Sequence, residues 1–75
     1  MSEHIKLECV WDRIDKAIER SGLSKSEIAR RGGFERRTLN GRAGNIMPSL
    51  GTLARFCAVT HTSADYILGL KDSHE

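Results

Sequence analysis

Five consecutive residues, Arg36-Arg37-Thr38-Leu39-Asn40, bring two guanidinium groups, a hydroxyl and a carboxamide onto one short run. A guanidinium is a planar fork of donors that can give two bonds at once, to O6 and N7 of a guanine, and a carboxamide can pair with adenine in the same two-bond manner. Arg37 and Asn40, three apart, share one face of a helix. Arg36 lies a fraction of a turn away and can reach base or backbone, while Thr38 can touch a thymine methyl or a phosphate. Lys25, Ser26, Arg42 and Asn45 flank this run as candidate phosphate contacts, the kind that position a protein without specifying a sequence. Ser26 also fits a plain first-turn polar residue. Arg30 and Arg31 fit an exposed helix end as well as they fit a phosphate. For any such cluster the bland alternative is a solvated helical face.

Those groups need a corner to present them, and residues 24–45 supply one. Ala29 is small enough to let two helices meet, Gly33 can take the positive φ of a sharp turn, and Leu39 points back toward Ala29. This is the skeleton of a helix-turn-helix. Ser24, with Glu27 three later, reads as a capping box that starts the second helix. Gly32 and Gly33 end that helix, and Phe34 re-enters the core. Glu35 serves as an indifferent N-cap or a first-turn acid for a third helix over Arg36–Asn40, which Gly41, Gly44 and Pro48 keep short before a loop. Residues 24–45 carry six cations and two acids, a local excess of +4, whereas the remainder carries six cations and eight acids. A charge so polarised suits a phosphate-facing surface.

The other elements follow from periodicity. Leu7, Val10, Trp11, Ile14, Ala17 and Ile18 recur at three- and four-residue steps through Ser21, predicting an amphipathic first helix with Trp11 as a core anchor. Gly22 stops it and Leu23 gives the loop an apolar foot. Ser49 caps a fourth helix with Leu50, Leu53, Ala54 and Cys57 on one face, widened by Phe56 and weakened by Gly51; Thr60 or His61 ends it. Thr62 and Ser63 cap a fifth helix, Ala64 to Leu70, with Tyr66, Ile67, Leu68 and Leu70 apolar enough for part of it to meet another chain. The tail from Lys71 is polar. At 75 residues, 39% hydrophobic and 29% charged, the chain is expected to be a single all-α domain spanning residues 1–75. No apolar run approaches the roughly 20 residues of a membrane helix, and the N-terminus lacks a signal-peptide pattern, so no membrane association and a cytoplasmic location are expected. Cys9 and Cys57 are expected to remain thiols there.

The order LSKSEIARRGGFERRTLN, then NIMPSLGTLARFC, then TSADYILGL resembles the DNA-binding domain of the phage-repressor and Cro-like (XRE) regulators, across roughly Ile14 to Leu70. The resemblance implies a compact five-helix domain of the lambda-repressor-like type with helix three in the major groove of double-stranded DNA. It implies base reading by Arg36, Arg37, Thr38 and Asn40, with Lys25 and Ser26 at the start of helix two resting on phosphate. A transcriptional repressor is the expected function, acting as a homodimer on a pseudo-palindromic operator, with helix five (Tyr66, Ile67, Leu70) as a candidate dimer contact. The chain departs from the family pattern at two places. Arg42 and Ala43 replace an apolar residue and a glutamate, which predicts an early end to helix three with Arg42 turned toward phosphate. Thr60, His61 and Thr62 replace leucine, glycine and valine between helices four and five, which bears on the angle of helix five.

Other classes fit less well. The cysteines and cap-like serines have no flanking His and acid in a recognisable order, so no enzyme is expected. Cys57 and His61 are four apart but lack two further ligands at regular spacing, so neither a metal nor another cofactor is expected. The rival is a helical protein-interaction module with the same fold and no specific DNA binding; the arginine content of helix three argues against it.

Overall fold

The first amphipathic stretch forms α1, Leu7–Ser21, as its spacing predicts. The computed structural model describes residues 7–44 and 46–70, apart from the side chains of Leu7, Glu8 and Arg42. Among the described residues there are five helices and no strand: α1, then α2 (Lys25–Gly32), a 3₁₀ helix (Arg36–Gly44), α3 (Leu50–Thr60) and α4 (Ala64–Ile67). The domain is all-α. No helix among the described residues is long and apolar enough to cross a membrane. Asn45 and the tail from Lys71 lie outside the described residues.

One core serves all five helices. Val10, Trp11, Ile14 and Ala17 of α1 are buried together with Ile28 of α2, Leu39 of the 3₁₀ helix, Leu53, Phe56 and Cys57 of α3, and Ile67 of α4. Trp11 and Phe56 are its largest fully buried side chains, each of a size that removes roughly 150–250 Å² from water. Burial of Cys57 pushes its thiol pKa up, because the thiolate would have to leave water. Both cysteines are free thiols.

The predicted caps form. Ser24, Ser49 and Ser63 each stand in extended backbone and accept a bond from the N–H of Glu27, Thr52 and Asp65, respectively. Such a cap typically contributes about 1 kcal/mol. Glu27 does not complete the capping box by bonding back to Ser24; its carboxylate is taken by Arg30 and Arg31. α2 ends as expected at Gly33, whose φ of +76° lets the N–H groups of Gly33 and Phe34 both bond to the Ala29 carbonyl, at 2.8 and 3.0 Å.

Three features differ from the sequence reading. The third helix is 3₁₀; its backbone leaves helical geometry at Asn40 (φ −107°, ψ 19°), where the sequence ends it, and a second short 3₁₀ stretch follows to Gly44. Gly41 opens that second stretch, where a Cβ would come within 2.5 Å of both Trp11 and the Ile46 carbonyl. The core face of α3 is Leu53, Phe56, Cys57 and Thr60, with Leu50 82% exposed and Ala54 exposed. The helix is rotated so that Phe56, the larger apolar group, goes inward, and Thr60 can follow because its hydroxyl donates to the Phe56 carbonyl at 2.8 Å. The fifth helix is only four residues. Gly69 N–H bonds to Tyr66 O and Leu70 N–H to Asp65 O at 2.7 Å, a paired closure that ends it and leaves Leu70 62% exposed.

Candidate nucleic-acid interface

The corner is built from α2, Gly33, Phe34 and the 3₁₀ helix. Ala29 and Leu39 are both buried, so the two helices meet where the spacing places them. Leu39 is buried in the core, and Gly41 lies close to Trp11. Arg37, Asn40 and Ala43 are all exposed. Arg36, at the start of the helix, is exposed as well, and Thr38 is half-buried.

Local bonds hold these groups lightly. Arg37, its side chain 82% exposed, pairs with Glu35 at 3.0 Å. Arg30 and Arg31 share the Glu27 carboxylate. Hydrogen bonds from Arg30 and then Arg31 hold the Glu27 carboxyl below its usual range, and the bond to Glu27 raises Arg30. Pairs this open to solvent are screened and weak. An arriving anion can therefore take over a guanidinium at little cost. Lys25, in the first turn of α2, donates from Nζ to Asn40 Oδ1 at 3.1 Å across the corner. Ser26 is exposed beside it. The Arg42 side chain and Asn45 lie outside the described residues.

Comparison with protein-family models, with curated proteins and with solved structures returned no match. Of eight residues singled out from the sequence, Arg36, Arg37, Asn40 and Ser26 are exposed, Lys25 is half-buried and bonded to Asn40, Thr38 is half-buried, and the Arg42 side chain and Asn45 lie outside the described residues. Of the three residues expected to face a second copy, Ile67 is fully buried in its own core and Tyr66 is half-buried, which leaves Leu70.

Two arginines that the sequence did not single out have a different task. Arg20 reaches the far end of α3, donating to the Thr60 and His61 carbonyls at 3.3 and 3.2 Å and to Thr62 Oγ1 at 2.6 Å. Arg13 donates to the Tyr66 carbonyl at 2.8 Å and lies 4.6 Å from the centroid of that ring. Thr60 and Thr62 are buried, and a buried hydroxyl needs a partner. His61, in the place expected of a glycine, takes the left-handed conformation at φ 55° to close α3.

Proposed function

We propose that this chain is a sequence-specific double-stranded DNA-binding regulator, a repressor that docks the exposed residues of its 3₁₀ segment in the major groove. The observation that carries the reading is the outer side of the corner. There Arg36, Arg37 and Asn40 are exposed on a short helix anchored from behind by Leu39 and by the contact of Gly41 with Trp11. Guanidinium forks and a carboxamide are the groups able to read base edges, and Ser26 at the start of α2 stands beside them for phosphate. The positive end of the α2 dipole favours an anion at the same place. The operator is pseudo-palindromic and bound by a homodimer, half-sites lying about one turn, ~34 Å, apart.

The test is fluorescence anisotropy with a duplex enriched from a random pool, titrated at several salt concentrations against a shuffled duplex of equal length. Tighter binding to the enriched duplex, with affinity falling steeply as salt rises, is expected. Equal binding to both, or no salt dependence, would refute the reading.

A second reading, a helical protein-interaction module, is favoured by one observation: Ile46 and Leu50 are 66% and 82% exposed on either side of Met47 and Pro48. Retention on DNA resin with salt-dependent elution, followed by DNA competition, separates the two.

A further inference from the structure

Sequence logic assigns Asn40 to adenine and Lys25 to phosphate, yet the structure joins them. Lys25 Nζ and Asn40 Oδ1 are 3.1 Å apart, bridging α2 and the 3₁₀ helix over 15 residues of chain. An ammonium carries only donors, so the carboxamide must turn its oxygen to Lys25, and its NH₂ is then the end left to make new bonds. Glu27 does not compete for the lysine, because its carboxylate is held by Arg30 and Arg31. The joined pair therefore offers donors from both members, ammonium and amide. In the major groove guanine shows two acceptors, N7 and O6, whereas adenine shows an acceptor and the N6 amino donor. Against adenine, Lys25 would set donor against donor.

Resting on the DNA-binding reading above, we infer that Lys25 and Asn40 form one composite reader selective for guanine over adenine. Lys25 is thus a specificity-determining residue. Without it, the carboxamide is free to turn and meet adenine with one bond given and one accepted.

The experiment is selection from a randomised double-stranded DNA pool, with sequencing, for the intact chain, Lys25→Met and Asn40→Ala. Lys25→Met keeps most of the aliphatic stem, and neither residue belongs to the core, so both variants should retain the fold, as circular dichroism would show. The intact chain should enrich guanine over adenine by roughly tenfold or more at one base pair, the usual scale for a good two-bond contact. Asn40→Ala should erase that preference, and Lys25→Met should move the same base pair toward adenine while other positions hold. Three results would overturn the inference but leave the DNA-binding reading standing. These are adenine chosen there by the intact chain, an Asn40→Ala selection with every preference intact, or a Lys25→Met variant weaker on all sequences with its preferences unchanged. A pool with no enriched sequence would end both.

Discussion

Arginines on α1 and arginines on the corner of α2 and the 3₁₀ helix have the same chemistry and different bonding partners. Arg13 and Arg20 reach 40 residues or more along the chain to backbone carbonyls of the α3 and α4 region. Among the described residues, the exposed Arg30, Arg31 and Arg37 bond to carboxylates two to four residues away. The first kind fastens distant elements together; the second is held by bonds that a phosphate can displace. Counting positive charge does not separate them, but asking what each guanidinium would give up on meeting an anion does.

Trp11→Ala should have the largest effect, because the indole supports both regions: it fills the α1 side of the core and lies against Gly41. A loss of about 3–5 kcal/mol is expected, which urea denaturation would measure and which is enough to unfold a domain this small. Gly41→Ala is the sharper version. Its Cβ would press on Trp11 and on the Ile46 backbone, so stability should fall by about 1–3 kcal/mol, with DNA affinity reduced as the 3₁₀ helix is displaced.

Arg20→Ala and the double variant Arg36→Ala/Arg37→Ala then divide the arginines directly. Removing Arg20 should cost about 1–3 kcal/mol of stability, read as a lower urea midpoint, with the DNA affinity of the folded protein unchanged. The double variant should change stability by less than about 0.5 kcal/mol yet weaken binding to an enriched duplex by about 1–3 kcal/mol for each arginine that reads a base. The reverse pattern would break the division.

The smallest effect belongs to Glu27. Its folded pKa lies below the usual 4.5, so its stabilising contribution is present above that value and is lost as pH falls through the lower, folded one. A small Tm difference between the intact chain and Glu27→Gln at neutral pH should therefore shrink in acid.

Much of the fold is legible in the chain. Apolar spacing locates α1, and the Ser24, Ser49 and Ser63 caps mark helix starts through a local bond between one hydroxyl and one N–H. Ala29, Gly33 and Leu39 draw the corner because each acts through size or backbone conformation alone. What escapes depends on distant partners. The close fit of Gly41 against Trp11 is not visible locally; Leu50 reads as core although Phe56 takes the inward position. The Lys25–Asn40 bond and the reach of Arg20 to Thr62 link residues 15 and 42 apart, and no local period announces either. The 3₁₀ character of the third helix is hidden as well, since its short run of residues fits either helical period.

The division between fastening and reading arginines is tested most directly by NMR, following arginine Nε–H and asparagine side-chain amide signals as an enriched DNA duplex is added. Signals of Arg36, Arg37 and Asn40 should move while those of Arg13 and Arg20 stay in place. Movement confined to Arg13 and Arg20, or no movement at Arg36, Arg37 and Asn40 at saturating duplex, would contradict the account.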